Sequence, residues 1–542
     1  MGINAVLIKK KWTIGLIALF VVIVALNTYI LHNDNLYPRY DSSLFVASSI
    51  NMAQQVKNGH VPVPHGKHLN PPLYEYVMML IVLFFGSHVD ILVCTNYIFT
   101  IFLFVGLYRV VRYILSKRMG FLAVCICLSM PVVIGHSRLL WHEYALMCMN
   151  IFSIYLLFKS KYLTRFKYVF LTGCFVGGIM LLKVSAVIYI AIPMLLYCIK
   201  AFHISKNKGM IVRRAIIFML LVFTIAAWWY IANYEYVLSR YKVFLTLEED
   251  YVTPLQCLRW AYAKLCNQCL LLPLFIIFLA SFPFLFIPFK FEKAILGSCI
   301  VVPIIVHAFS SYKLGFDSVR YFLPLMPFIA FSIVNFVFFV WDNKHGRFLY
   351  MALIILCSLQ ISLVHRGHVS ALQFQDSVLD HQCDFDAVVE KGKLTPQRHF
   401  IRPRLFLEAM KKATTGQPIT IILALNHPQL ESYFIIEKSK DPNKIILTSA
   451  ALLASINRST DMKTDDPTSL DRHEFIIVLG NKVKETDDVA PSFATEWIPN
   501  IMSEFEKRKK NYRELMREID NSGYEIILYQ KIRDGKPAMS TG

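Results

Sequence analysis

Long apolar runs fill most of the first 364 residues of this 542-residue chain. Eleven of them reach about 15 to 21 residues, and a helix of about 20 residues spans the roughly 30 Å hydrocarbon core of a bilayer. Only 17% of the residues are charged, against about a quarter in soluble domains. The sequence therefore predicts a mostly α, polytopic membrane protein with about 11 transmembrane helices. The predicted spans lie near residues 12–30, 91–108, 119–135, 144–158, 168–182, 184–199, 215–232, 269–289, 294–312, 321–340 and 348–364.

The first apolar run follows three consecutive lysines, Lys9 to Lys11, and extends from Trp12 to Ile30. A secretory signal peptide has a shorter apolar core and a small-residue cleavage site, and no such site follows this run. We therefore expect an uncleaved first span with a cytoplasmic N-terminus.

The distribution of charge orients the other spans. The net charge is +19, and residues 365–542 hold 25 basic and 25 acidic residues, so the whole excess lies in the apolar part. One more apolar stretch, Pro72–Gly86, contains Glu75 and is short for a span. If this stretch does not cross the membrane, the cytoplasmic loops hold 20 basic residues and two acidic ones. If it does cross, the later basic clusters lie outside, which contradicts the positive-inside rule. We therefore expect N-in/C-out topology, interfacial helices in a first outer loop at 32–90, and no nucleic-acid partner.

The pattern changes after His365 to short apolar runs. Four of them predict buried strands, Pro428 predicts the start of a helix toward Lys440, and Pro499–Asn521 predicts one long charged helix. Alternating strands and helices indicate a small α/β domain with a parallel sheet, and no glycine-rich phosphate loop follows a strand. We therefore divide the chain into a transmembrane domain, 1–364, and an extracytoplasmic α/β domain, 365–542, with a structural or acceptor-docking role. The predicted strands are Ile419–Leu425, Lys444–Thr448, Phe475–Gly480 and Tyr524–Gln530.

Charged side chains stand at the outer ends of several predicted spans. Arg138 and Glu143 lie between spans three and four, Lys183 interrupts an apolar stretch, and Arg320 with Tyr321 precedes a later span. A single Lys or Arg in such a place is explained by its reach to lipid headgroups. A cation with little flanking loop, such as Lys183, is instead a candidate for function. Together these cations suit a phosphate-headed lipid.

Asp41 begins an amphipathic segment soon after the first span. Leu44, Phe45, Met52 and Val56 share one side of this predicted helix, which would lie flat on the outer leaflet. Asp is a favoured helix N-cap, and a carboxylate held at the bilayer surface is also a candidate base. The two roles are compatible.

The histidines of the predicted outer segments show no zinc-site spacing such as His-Glu-x-x-His. We therefore expect surface histidines and no metal site, while a divalent metal cofactor is left open. These histidines are His60, His65, His68, His136, His142 and His307.

Six short motifs follow one another along residues 12–340. They are Asp41, Gly59–Pro64, Pro71-Pro72-Leu73, Arg138 with Glu143, Gly178–Lys183, and Arg320-Tyr321. In this order they resemble the C-type (GT-C) superfamily of membrane glycosyltransferases, in particular the branch of bacterial lipid A aminoarabinose transferase and the protein O-mannosyltransferases. Asn70 departs from the Lys or His of that family, for which Lys67 or His68 would substitute, and Glu143 replaces the more usual Asp.

The resemblance implies a glycosyltransferase that moves a sugar from a polyprenyl-phosphate donor to an acceptor hydroxyl or phosphate on the outer side of a membrane. The acceptor would be a glycolipid such as lipopolysaccharide, a polysaccharide or a protein, and a single displacement would invert the anomeric carbon. The implied location is a bacterial inner membrane, with the site and the C-terminal domain facing the periplasm. Asp41 would be the catalytic base and Glu143 a supporting acid. The residues implied to bind the donor phosphate are Arg138, Lys183, Arg320, Tyr321, Lys67 and His68.

Two other classes of function stay open on the sequence. A transporter or flippase for a charged lipid or solute would explain Lys183 and the spans, but it predicts repeats with paired broken helices, and no such duplication occurs. A receptor or scaffold without catalysis predicts that replacing Asp41 or Arg320 has no effect.

Overall fold

In the computed structural model the chain forms two compact units. The first comprises Met1–Asn33 with Pro64–Pro396, and the second comprises Asp34–Val63 with Gln397–Gly542. The structure describes residues 3–33, 41–63, 71–235, 237–238, 261–287, 290–314, 319–341, 344–366, 403–414, 419–424, 428–440, 445–449, 474–479, 497–519 and 525–532.

Helices and the turns between them make up the described residues of the first unit. Its apolar sequences satisfy their backbone groups within helices, as lipid requires. The helices are α1 (Ile3–Asn33), α3 (Leu73–Phe85), α4 (Val89–Leu92), α5 (Cys94–Ile114), α6 (Lys117–Ser129), α7 (Pro131–His136), α8 (His142–Lys159), α9 (Phe166–Met180), α10 (Ala186–Ile204), α11 (Lys208–Ala232), α12 (Leu271–Ser281), α13 (Phe291–Leu314), α14 (Met326–Phe339) and α15 (Lys344–Arg366). A π-helix at Leu265–Leu270 precedes α12, and a 3-10 segment at Val319–Leu325 precedes α14.

Seven helical segments among the described residues are long and apolar enough to cross a membrane. They coincide with seven of the predicted spans, and the other four fall on α6 with α7, on α8, on α9 and on α13. The prediction of a polytopic, mostly α membrane protein is confirmed, while the number eleven stays a prediction. The stretch Pro72–Gly86 forms α3, whose 13 residues extend about 20 Å. Such a helix is too short to span a bilayer, which favours its predicted interfacial position.

Two glycines allow helices of this unit to approach closely. A Cβ atom at Gly106 of α5 would lie 2.8 Å from the backbone of Phe152 on α8, and one at Gly177 of α9 would lie 2.8 Å from the Cβ of Ile225 on α11. Close backbone approach is a common use of small residues in membrane helices. Gly177 therefore fixes α9 against α11 just before the turn that carries Lys183.

The second unit contains a five-stranded sheet with helices on its two faces. Its strands are β1 (Ile419–Ala424), β2 (Ile445–Ser449), β3 (Phe475–Leu479), β4 (Tyr512–Ile519) and β5 (Glu525–Lys531), in the order β2-β1-β3-β5-β4. Its helices include α16 (Pro403–Ala413), α17 (Pro428–Lys440) and α18 (Trp497–Arg508). Phe406 and Phe434 pack on one face of the sheet, and Phe505 packs on the other. The predicted α/β domain and its four strands are confirmed.

Two details of this domain differ from the prediction. The sheet is mixed, because β5 pairs antiparallel with β3 and β4, and only β2, β1 and β3 are parallel. The single helix predicted over Pro499–Asn521 is wrong, since α18 ends at Arg508 and β4 follows. Pairing with β5 overrides the helix propensity of the Glu, Leu, Met and Arg residues in this segment.

Helix α2 (Asp41–Lys57) belongs to the second unit and packs against α17. Ala47 joins the core that contains Phe434, and the Gln54 side-chain amide donates to the carbonyl of Lys440 at 2.9 Å. Phe45 and Met52 are buried. The apolar side of this helix therefore packs largely against protein, whereas the sequence predicted that it lies on the outer leaflet.

Candidate active site

Three of the predicted site residues meet at the ends of their helices. Glu143 is the second residue of α8, Lys183 lies in the turn between α9 and α10, and Arg320 lies in the 3-10 segment before α14. The Lys183 ammonium donates to Oε1 of Glu143, and Nε of Arg320 lies 3.5 Å from the same oxygen. One carboxylate thus contacts two cations, and the three formal charges sum to +1. We call Glu143, Lys183 and Arg320 the charge cluster.

Burial is unequal within the charge cluster. The Glu143 side chain is 2% exposed, against 13% for Lys183 and 20% for Arg320. The carboxylate therefore lies behind its cations, which keep partial access to their surroundings. This arrangement presents positive charge outward, as the binding of a phosphate requires.

Aromatic rings flank the two cations. The Lys183 ammonium lies 4.5 Å from the ring centroid of Tyr321, and the Arg320 guanidinium lies 4.4 Å from that of Trp141. The Tyr189 hydroxyl of α10 donates to the carbonyl of Tyr321 at 2.7 Å. Cation–π contacts and this hydrogen bond limit the positions of the cations, so the charges are preorganised.

Neighbouring helices hold the turn that carries Lys183. The backbone amide of Leu73, at the start of α3, donates to the carbonyl of Leu181 at 2.9 Å. The Tyr230 hydroxyl of α11 donates to the carbonyl of Met180 at 3.0 Å. These bonds satisfy carbonyls at the end of α9 that have no partner within the helix. They also fix the position of the turn that carries Lys183.

A second buried pair holds the start of α8. Nε2 of His142 lies 3.3 Å from Oε2 of Glu75 on α3, and both side chains are nearly inaccessible. The ring of Tyr74 lies 5.0 Å from the His142 ring, and its hydroxyl donates to Oδ1 of Asn96 at 2.7 Å. Because His142 directly precedes Glu143, this pair fixes the position from which Glu143 reaches its cations.

The turn that contains Arg138 is tied down by Asn96 of α5. The side-chain nitrogen of Asn96 donates to the carbonyl of Leu139 at 2.7 Å and lies within 3.3 Å of the carbonyls of His136 and Ser137. Nε of Arg138 donates to the carbonyl of Ile134 at 3.4 Å. The structure thus gives Arg138 a defined place between α7 and α8, and its contact with a donor phosphate stays a proposal.

The remaining predicted site residues are described only in part. Asp41 is the first residue of α2, which agrees with a helix-start position, but its side chain lies outside the described residues. Lys67 and His68 also lie outside them. The expectation of surface histidines is wrong for His136 and His142, which are buried because they pack at helix junctions. Among the described residues, no group of three His, Cys, Asp or Glu side chains is arranged to hold a metal ion.

The sequence reasoning missed Glu75 and His142 as a pair, and it missed Lys264. This lysine is 6% exposed and directly precedes the π-helix Leu265–Leu270, which packs against α7 and against the 3-10 segment of Arg320. A π-helix often marks a functional site. The signal was present in the sequence, since Lys264 is a cation at the margin of the apolar run predicted at 269–289.

Known proteins match this chain in part of its sequence and in its fold. The family model of dolichyl-phosphate-mannose-protein mannosyltransferases matches residues 69–229, a segment that carries Glu75, Glu143 and Lys183. Among curated proteins, none matches the sequence. A crystal structure of ArnT from Cupriavidus metallidurans in the apo state matches with a TM-score of 0.54 at 11% identity, covering 95% of this chain and 98% of that chain. A second ArnT structure from the same organism, bound to undecaprenyl phosphate, matches with a TM-score of 0.55 at 11% identity, covering 96% and 98%.

The chain has the ArnT fold. At 11% identity the two structures show the fold alone, and the match to the mannosyltransferase family covers less than half of the chain. The resemblance to GT-C glycosyltransferases predicted from the motifs is confirmed at this level. Arg320 and Tyr321 lie beyond residues 69–229. The fold places Arg320 beside Glu143 and Tyr321 beside Lys183.

Proposed function

We propose that this protein is a membrane glycosyltransferase that uses a polyprenyl-phosphate sugar as donor. The observation that carries the proposal is the charge cluster, in which two partly exposed cations share one buried carboxylate. One support is the mannosyltransferase family match, which covers two of the three residues of the charge cluster, Glu143 and Lys183. The other is the shared fold with ArnT, which has been crystallised with undecaprenyl phosphate. A transporter for a charged lipid shares the cations but explains neither match.

The charge cluster suits the leaving phosphate of such a donor. The lipid tail stays in the bilayer, and the phosphate contacts the exposed sides of Lys183 and Arg320, with Tyr321 beside them. Arg138 is proposed as a further phosphate contact. When the bond between the anomeric carbon and the phosphate oxygen breaks, its electron pair leaves with the phosphate. Preorganised cations stabilise this developing charge, which is usually the largest catalytic contribution.

Asp41 is proposed as the general base for the acceptor. Its carboxylate takes the proton of the acceptor hydroxyl while the hydroxyl oxygen attacks the anomeric carbon from the face opposite to the phosphate. A positioned base of this kind contributes about 10²- to 10⁴-fold. One displacement inverts the anomeric carbon, by analogy with single-step glycosidases. Lys67 and His68 are proposed as further phosphate contacts, and no metal is needed for the step as written.

The reaction is proposed to occur on the outer side of a bacterial inner membrane. The support is the charge count of the sequence, which places 20 basic and two acidic residues in the cytoplasmic loops when α3 does not cross. The acceptor is a glycolipid, a polysaccharide or a protein, and the C-terminal α/β domain is proposed to face the same side.

The test is a transfer assay with the purified protein in detergent. It is incubated with radiolabelled polyprenyl-phosphate sugars and a membrane extract, and the lipid, polysaccharide and protein fractions are counted. Asp41→Asn is expected to abolish transfer without loss of folded protein, because the amide cannot accept the proton. Asp90→Asn is the matched control, since Asp90 is a partly exposed acid at the start of α4. Near-normal turnover of Asp41→Asn would contradict the assigned base, and absence of transfer from every donor would contradict the proposed function.

A further inference from the structure

A cavity of about 370 Å³ opens far from the charge cluster, between α1, α6 and the end of α14. Trp341 lines it, in the turn just after α14 and 21 residues after Arg320 along the chain. At about 1.5 Å per residue this places the cavity roughly 30 Å from the charge cluster, which is the thickness of the hydrocarbon core. This separation fits a cavity at the membrane interface opposite to the charge cluster.

The lining combines cations with aromatic rings. Lys117 and Arg118 are exposed at the start of α6, and the Arg118 guanidinium lies 5.9 Å from the ring centroid of Trp341. Trp12 forms the α1 side, and Phe338 adds an exposed apolar ring. Among the residues that the structure describes, those that line the cavity include no acidic side chain. We call this the basic aromatic pocket.

We propose that the basic aromatic pocket binds the headgroup of an anionic phospholipid. Its two cations match a phosphate, and basic pockets between membrane helices are suited to anionic headgroups. Trp is favoured at the depth where headgroups lie. The exposed ring of Phe338 provides apolar surface for the upper part of an acyl chain, which a free phosphate ion does not have. The lipid is therefore the occupant that fits both halves of the lining, and this binding is independent of the proposed transfer reaction.

The test is lipid binding by the full chain in detergent micelles, followed by native mass spectrometry. Phosphatidylglycerol is titrated, with phosphatidylcholine as the neutral lipid. The variant Lys117→Gln/Arg118→Gln is expected to bind phosphatidylglycerol about tenfold more weakly, because it removes the two cations that line the pocket and contact the lipid phosphate. Binding of phosphatidylcholine is expected to stay unchanged. Thermal unfolding of the lipid-free variant checks that it is folded.

The matched control is Lys206→Gln/Lys208→Gln, which replaces the first residue of α11 and a lysine of the turn before it. Lys208 lies 5.3 Å from the ring centroid of Phe202, so the control removes the same charge and the same type of aromatic contact outside the pocket. It is expected to bind phosphatidylglycerol as the unsubstituted protein does. The proposal is overturned if the pocket variant keeps full affinity, or if the control loses as much. It is also overturned if equimolar inorganic phosphate displaces the lipid, because the occupant is then a free phosphate ion.

Discussion

Replacing Glu143 by Gln is the sharpest test of the charge cluster. The substitution keeps the shape of the side chain and an oxygen that accepts from Lys183, but it removes the negative charge. The Lys183 and Arg320 nitrogens contact the same oxygen, so with an ordinary hydrogen-bond length for Lys183 they lie at most about 6.5 Å apart. At an effective dielectric constant of about 20, two positive charges at that separation repel by about 2.5 kcal/mol. Without Glu143 this repulsion is no longer offset.

The expected kinetic effect separates positioning from binding. The two released cations move apart, so they stabilise the leaving phosphate less well, and we expect kcat to fall about 10²-fold, which corresponds to about 2.7 kcal/mol. The KM for the donor is expected to stay level or to fall, because two uncompensated cations still attract the phosphate before reaction. Lys183→Met removes a phosphate contact instead, so its KM is expected to rise.

The double variant Glu143→Gln/Lys183→Met completes the cycle. The like-charge repulsion is absent there, so its loss in kcat/KM is expected to be close to that of Lys183→Met alone. The corresponding coupling energy is at least about 1.5 kcal/mol, within the range for contacting residues.

Initial rates of label transfer at varied donor concentration measure all three variants. Glu408→Gln serves as control, because Glu408 is an exposed acid paired with Arg404 in the second unit. Additivity of the single effects within about 0.5 kcal/mol would refute the shared role of the three residues. A raised KM with unchanged kcat for Glu143→Gln would refute the positioning role.

Two further predictions concern the surroundings of the charge cluster. Glu75→Ala is expected to lower the free energy of unfolding by about 1–3 kcal/mol, because His142 stays buried without its partner, and to lower kcat more than donor KM changes. Glu75→Gln is expected to recover much of the stability in thermal unfolding, and equal losses in both variants would contradict a hydrogen-bonding role. Gly177→Ala is expected to destabilise by about 1–3 kcal/mol, because its Cβ would press on Ile225. Gly209→Ala is the control, since the nearest atom to its Cβ lies at 3.8 Å, and a similar loss there would contradict the packing argument.

Periodicity and charge predicted much of the fold. Long apolar runs correspond to helices, and the four Ile-, Leu- and Val-rich runs correspond to strands, because burial on all sides leaves a continuous signal. β4 was missed since its polar and helix-favouring residues lie at the sheet edge, where pairing with β5 decides the conformation. The grouping of α2 with the second unit likewise depends on contacts with α17, which the sequence does not show.

The candidate site was predictable where a residue breaks a pattern. Lys183 stands out as a charge among apolar residues, and Glu143 and Arg320 stand at span ends. The pair of Glu75 and His142 was not predictable, because the two residues are 67 positions apart and each alone is typical of an interface. Only packing of α3 against the start of α8 gives them a common role.

The geometry of the charge cluster also indicates which carboxylate is suited to act as the general base. Oε1 of Glu143 already contacts Lys183 and Arg320, so a proton placed on that oxygen would have to displace a cation. The side chain is 2% exposed, which keeps an acceptor hydroxyl away from it. Glu143 is therefore suited to hold cations and unsuited to serve as the base. A reaction that needs a base must take it from a carboxylate outside the charge cluster, which is the role proposed for Asp41.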